Sequence, residues 1–165
     1  MYNIKKVTTQ TDIQKFLQVA VLCNTSNPNW IRPLNKDIEH TFNTSKNKAF
    51  QQGTCTRWII EDDKHQTIGR IAAFISKKYF NKGDEYTVGG VGLFECINNQ
   101  TAANLLFDTA KIWLQNKGAQ AMDGPINFLE RDKFWGLMVE GFDIEPMYGM
   151  SFNPPYYASL FENYG

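Results

Sequence analysis

The chain has 165 residues, 42% hydrophobic and 14% aromatic, enough apolar material for one domain with a buried core and too much for a disordered chain. Lys+Arg and Asp+Glu balance at 17 each. With no basic stripe in sight, neither nucleic acid nor an anionic membrane is expected as the main partner, and no apolar run approaches the ~20 residues of a membrane span.

Taken in chain order, Tyr2 to Val7 reads as a short strand. The six residues from Met1 to Lys6 contain no apolar signal core, so secretion is not expected. Thr11 opens a helix, with Gln14 three residues on in a capping-box pattern, and Ile13, Phe16, Leu17 and Ala20 form its apolar face. The helix gives way to a turn-rich stretch, Asn24 to Asn29. Trp30 to Leu34 is extended, because Ile31 and Arg32 lead into Pro33. Asn35 caps a second helix in which Ile38 and Phe42 share a face. A loop from Lys46 to Gly53 is anchored by Phe50.

Cys55 to Glu61 alternates as a strand, with Cys55, Arg57 and Ile59 on one side and Thr56, Trp58 and Ile60 on the other. Asp62 to His65 turns the chain. Ile68 to Ile75 is apolar on both faces apart from Arg70, the pattern of a central strand. A polar loop, Lys77 to Glu85, leads to a glycine-punctuated strand, Gly89 to Glu95. The turn Ile97 to Asn99 precedes a helix from Gln100 to Lys117, with Asn99 as N-cap and Gly118 at the left-handed position after it. Ala102, Leu106, Ala110 and Trp113 make one helix face, widened by Leu105 and Leu114.

A short strand, Ala119 to Met122, completes a parallel crossover. In such units a ligand usually sits where the first strand ends and the helix begins. After Pro125 the spacing suggests a helix over Arg131 to Glu140 broken near Gly136, a strand from Pro146 to Phe152, and a last helix opened by Pro154 or Pro155 and ending near Asn163.

Several residues carry chemistry. Glu95, at a strand end, fits a general base less well than a carboxylate that caps the strand end or pairs with Arg70. Asn98, Asn99 and Gln100 fit a phosphate cradle or an ordinary turn and cap. Cys96 fits a nucleophile less well than a small buried hydrophobe. Cys23, Cys55 and Cys96 are odd in number and far apart, which reads as reduced thiols of a cytoplasmic protein. His40 and His65 share no metal-ligand spacing with them, so no metal site is expected. Asp123 to Asn127 lines a pocket or forms a rigid turn. Tyr148, Phe152, Tyr156 and Tyr157 form a packing cluster or a ligand platform.

The order strand, helix, helix, three strands, helix, strand, helix resembles the GCN5-related N-acetyltransferase (GNAT) fold. More specific are Ile68-Gly-Arg-Ile-Ala-Ala-Phe74, Gly92-Leu-Phe-Glu95, Trp113, Gly124-Pro125 with Asn127, Gly136 to Asp143, and Asn153-Pro-Pro-Tyr-Tyr157 through Gly165. From about Trp30 onward these words resemble a bacterial group of acetyltransferase-like proteins. The resemblance implies a single α+β domain over residues 1–165, an acyl-CoA N-acyltransferase fold with a mixed, mainly antiparallel sheet flanked by helices. It implies a bulge in the glycine-rich strand and a splay between that strand and the next, with acetyl-CoA in the gap.

On that footing Glu95 is the base for acyl transfer to a small-molecule or peptide amine. Phe94, Cys96, Ile97, Asn98, Asn99, Gln100 and Thr101 hold acetyl-CoA, and Asn127, Tyr156 and Tyr157 meet the amine. Three departures stand out. The family's Gln/Arg-x-x-Gly-x-Gly/Ala phosphate loop is replaced by Ile97-Asn-Asn-Gln-Thr-Ala-Ala103. The tyrosine that related enzymes place before a late Gly-Phe pair has Leu137 or Phe161 at its position. Related chains also continue beyond Gly165 with another strand, so a missing last strand is expected, with an open edge suited to a homodimer or a C-terminal partner domain. A non-catalytic half that binds a ligand or a partner domain therefore stands beside the enzyme reading.

Overall fold

In the computed structural model, residues 1–79, 83, 85–128 and 133–165 are described. The elements are β1 (Asn3–Lys6), α1 (Gln10–Asn24), α2 (Asn35–Phe42), a 3-10 turn (Lys48–Gln51), β2 (Gly53–Glu61), β3 (Thr67–Ser76), β4 (Val88–Cys96), α3 (Gln100–Asn116), β5 (Ala121–Asp123) and α4 (Tyr157–Glu162). They build one sheet in the order β1-β2-β3-β4-β5. The first three pairings are antiparallel and β4 with β5 is parallel, as the crossover through α3 requires.

Alternation along the strands divides the core between two layers. Trp58, Ile60, Ile71, Ala73, Val91 and Cys96 pack with Ala102, Ala103, Leu106, Phe107, Ala110 and Leu114 of α3. Ile59 faces the other way, onto Phe16 of α1 and Ile38 of α2. Arg57 lies over the Phe42 and Phe16 rings at 3.9 Å and 4.9 Å and pairs with Glu39, which gives this buried guanidinium both a counter-charge and aromatic faces. At the sheet end near β1, the wholly buried Glu61 carboxylate takes Lys5 Nζ at 2.5 Å and Lys15 Nζ at 2.6 Å. That contact ties β1, α1 and β2 together.

Local structure departs from the sequence expectation in identifiable places. The first helix starts earlier: Thr9 is its N-cap and Asp12, not Gln14, closes the capping box, because the short Asp12 carboxylate reaches back to the Thr9 N–H. Asn35 lies inside α2, whose N-cap is Leu34 without a side-chain bond. Asn99 caps α3 as expected, accepting the Ala102 N–H at 2.9 Å, and Gly118 follows with φ +88°. Leu105 is half-exposed, and Ala103 and Phe107 fill the face instead. Residues 133–140 are irregular with bends rather than helix, and residues 146–152 are not strand; residues 131–132 of the expected helix lie outside the described residues. Gly136, Gly141 and Gly149 all have positive φ, which breaks either regular structure there.

Two features of β4 shape the site. Its register against β3 shifts between Arg70 and Ala72, which pair with Glu95 and Gly92. The bulge falls at Leu93, in the left-handed region with φ 49°, and not at the glycines. The glycines serve close approach: a Cβ on Gly92 would sit 1.9 Å from the Ile126 carbonyl oxygen. That contact lets the chain after the cis Gly124-Pro125 bond lie along β4, where the Ile126 N–H donates to the Val91 carbonyl at 2.8 Å. Beyond it β5 no longer pairs with β4: the parallel register ends at Gly90, leaving Leu93 to Cys96 without a partner strand on that side.

Candidate active site

The bulge re-aims the end of β4. It turns Phe94 onto α3, stacked on Phe107 at 4.7 Å, and sets Glu95 opposite Arg70 on the α1 side. The Glu95 side chain is 13% exposed. Its Oε2 accepts from the Tyr157 hydroxyl at 2.7 Å and from Asn24 Nδ2 at 3.2 Å, and Arg70 Nη2 lies 3.5 Å from Oε1. Arg70 also donates to the Phe16 carbonyl at 2.9 Å, with its guanidinium 4.7 Å from the Phe16 ring. Among the described residues, Arg70 Nε and Asn24 Oδ1 are buried without a hydrogen-bond partner.

Burial drives the Glu95 carboxyl above its ordinary value, against the opposing pull of Arg70, Tyr157 and Asn24. A carboxyl held up in this way is suited to accepting a proton from a neutral amine. Burial and the nearby Glu95 charge push the Tyr157 hydroxyl well up, so it stays a proton donor. Burial, with Glu95 a further contributor, raises the Cys23 thiol to about 12, and burial with Cys23 and Glu95 does the same to Cys96. Neither thiol carries thiolate at neutral pH, which disfavours nucleophilic chemistry.

Above Glu95 opens a cleft of about 380 Å³. Its walls come from the Trp30–Leu34 segment, Ile38 of α2, the β4 bulge, the 134–153 segment and Phe161. The Tyr148 hydroxyl donates to Asp37 of α2 at 2.8 Å, which ties the 134–153 segment to α2.

The remaining expected residues sort themselves by position. Phe94 lines the cleft, but none of Cys96, Ile97, Asn98, Asn99, Gln100 and Thr101 is among its lining residues; they run from the end of β4 into the first turn of α3. There Asn98 and Thr101 are exposed and Cys96 is buried. Asn99 Nδ2 donates to the Tyr2 hydroxyl at 2.9 Å, and Gln100 Nε2 donates to Asn104 at 2.8 Å and to the Leu160 carbonyl at 3.0 Å. The Cys96 N–H donates to Tyr157 Oη at 3.0 Å, and the Tyr156 hydroxyl donates to the Cys96 carbonyl at 2.8 Å. Phe161 and Tyr164 pack on Phe107 at 4.9 Å and 4.8 Å. The C-terminal segment thus covers the open edge of β4 beside the α3 N-terminus.

Tyr157 joins Glu95, whereas Tyr156 lines a second cavity of about 590 Å³ with Asn24, Asn27, Asn29 and Pro155. Asn127 is buried and accepts the Phe128 N–H at 2.9 Å; it is not among the residues lining the cleft. Among the described residues no group of three or more His, Cys, Asp or Glu is placed to hold a metal ion. Sequence reading missed Asn24 as part of the site. The signal was its place on the stripe Phe16, Ala20, Asn24, an amide at helical spacing on an apolar face.

No family model matches the chain. Protein YghO of Escherichia coli strain K12 is 30% identical over 157 residues, covering 94% of this chain and 39% of that protein. A bacterial ceramide synthase of Caulobacter vibrioides is 26% identical over 163 residues, covering 99% of this chain and 42% of that protein. The chain therefore spans about two fifths of the length of these curated relatives. Among solved structures, an aminoglycoside N-acetyltransferase AAC(6′)-Iy in complex with CoA superposes with a TM-score of 0.54 at 16% identity, covering 77% of this chain and 78% of that one. With the mixed five-stranded sheet and the flanking helices, this places the chain in the GNAT, or acyl-CoA N-acyltransferase, fold.

Proposed function

We propose that this chain belongs to an acyltransferase that moves an acyl group from acyl-CoA to an amine, with Glu95 as the general base. The observation that carries the reading is the largely buried Glu95 carboxyl at the foot of an apolar cleft, tied to Tyr157 and Asn24. The amine nitrogen attacks the thioester carbonyl and forms the C–N bond. The C–S bond breaks with its electron pair on the CoA sulphur, the nitrogen gives its proton to Glu95, and the leaving thiolate takes up an equivalent proton. Two comparisons support acyl transfer: the CoA-bound acetyltransferase neighbour and the relative named a ceramide synthase.

Acetyl-CoA, or a longer acyl-CoA, would lie along the open end of β4 beside Phe94, Cys96 and Ile97, with Asn98 to Thr101 at the positive end of the α3 dipole. Tyr156, Tyr157 and Asn127 would border the acceptor side. A cytoplasmic setting, and assembly with a second copy or a partner domain through an edge of the sheet, complete the proposal.

A second reading is favoured by two hydrogen bonds at one residue. Tyr156 and Tyr157 already satisfy the Cys96 carbonyl and N–H, the backbone groups that an acyl-CoA in the splay would meet. On this reading the chain is a non-catalytic half that binds a ligand or a partner domain.

Thermal unfolding with and without millimolar acetyl-CoA separates the two. Ligand at 100 times its Kd adds about 2.7 kcal/mol and moves Tm by several degrees. A shift of that size supports the enzyme reading, and an unchanged Tm favours the non-catalytic half.

A further inference from the structure

The lining of the cleft constrains what enters it. Its charged members are Glu95, Arg70 and Arg32, one carboxylate against two guanidinium groups. With a single carboxylate to offer, the cleft gives a polycation such as an aminoglycoside a partner for only one of its charges. The rest of the lining is largely aliphatic and aromatic, with Trp30, Leu34, Leu93, Phe134, Leu137 and Met147 among it. The apolar character continues out of the mouth: Ile31, Leu34, Met147 and Met150 line the cleft and are each more than half exposed. Trp135, Val139 and Ile144 stand exposed on the same 134–152 segment. Large hydrophobic side chains grouped at one opening mark a place where an apolar ligand or surface is met. At the foot the surface changes character abruptly, to Glu95, Tyr157 and the unpartnered Nε of buried Arg70.

We propose that the acceptor is a single-chain amphiphilic amine, its alkyl chain lying between the Trp30–Leu34 and Pro146–Phe152 walls and its nitrogen at Glu95. The assignment of the nitrogen rests on the acyl-transfer reading; the assignment of the chain rests on the cleft alone. Because none of the residues from Cys96 to Thr101 lines the cleft, the alkyl chain and the acyl-CoA would approach Glu95 from different sides.

The test is calorimetric titration of the whole chain, without acyl donor, with octylamine, decylamine and dodecylamine below their micelle concentrations, and with dodecanoate and kanamycin. Binding of the amines should tighten by about fourfold per added methylene, with kanamycin at least tenfold weaker than dodecylamine. The double variant Leu34→Ser, Met147→Ser changes two exposed positions and should weaken dodecylamine by about tenfold. Ile112→Ser, on the exposed outside of α3, should leave it unchanged. Chain-length-independent binding, kanamycin binding as tightly as dodecylamine, or a double variant with unaltered affinity overturns the proposal. So does dodecanoate binding as well as the amine, which would make the cleft a site for the acyl chain instead. Acyl-CoA is absent throughout, so a failure here is distinct from a failure of the acyl-transfer reading, which the acetyl-CoA melting shift reports separately.

Discussion

The Tyr157 hydroxyl donates to Glu95 across 2.7 Å, although the two residues lie 62 apart in the chain. The same oxygen accepts the Cys96 N–H at 3.0 Å. One hydroxyl thus fixes the carboxylate at the end of β4 and closes the backbone edge beside it, and it couples the seating of α4 to the geometry of the site.

Tyr157→Phe removes both bonds while keeping the ring that packs edge-on against Phe94 at 5.3 Å. The buried Cys96 N–H then lacks its partner, which costs about 1–3 kcal/mol. Urea denaturation should show that loss with an unchanged m-value. A variant as stable as the parent would mean that water replaces the hydroxyl at no cost.

Glu61 lies at the same strand ends on the β1 side of the sheet, opposite Thr67 of β3. Its carboxyl is held below its ordinary value: burial acts to raise it, and the hydrogen bonds and charges of Lys15 and Lys5 outweigh burial. A depressed carboxyl pKa contributes stability that is present above the unfolded value of 4.5 and is lost as the pH falls through the lower folded value. Glu61→Gln should therefore cost about 1–2 kcal/mol at pH 7, discounted for the partly exposed lysines. The gap between variant and parent should close as the pH drops below 4.5. A gap that persists unchanged at pH 3 would assign the stabilisation to packing instead.

Two glycines test close approach against backbone conformation. Gly92→Ala drives a Cβ to 1.9 Å from the Ile126 carbonyl oxygen, and backbone on backbone has nowhere to go. A loss of about 3 kcal/mol or a failure to fold is expected. Gly118→Ala meets nothing within 4 Å and bears only its φ of +88°, for a cost of about 1 kcal/mol. Equal melting temperatures for the two variants would refute the packing of residues 124–127 against β4.

Much of this architecture was legible because local chemistry and tertiary fold agree. Asn99 and Gly118 bracket α3, and the unbroken apolar run around Arg70 marks β3 as central. The single charge within that run is a constituent of the site. The misreadings share a cause. Thr11 and Gln14 have the right letters for a capping box, but Thr9 and Asp12 have the geometry. Phe107 displaces Leu105 from the inner face because the Phe94 ring, turned by the bulge, stacks on it. The bulge at Leu93 is invisible in sequence, since left-handed backbone at a leucine is imposed by sheet register and not by local preference. After Pro125 the chain follows irregular turns set by long-range contacts, such as Asn153 bridging the N–H and carbonyl of Met138, and no periodicity reports those.

The most direct test follows CoA thiol release from acyl-CoA and dodecylamine as a function of pH, for the parent chain and for Glu95→Gln. A base must be deprotonated to act, so the parent rate should climb with pH through a pKa above the ordinary 4.5, as burial of Glu95 requires. Glu95→Gln should lose that limb and about a hundredfold or more in rate. A Glu95→Gln chain that turns over at the parent rate, with the same pH profile, would contradict the assignment of Glu95 as the base.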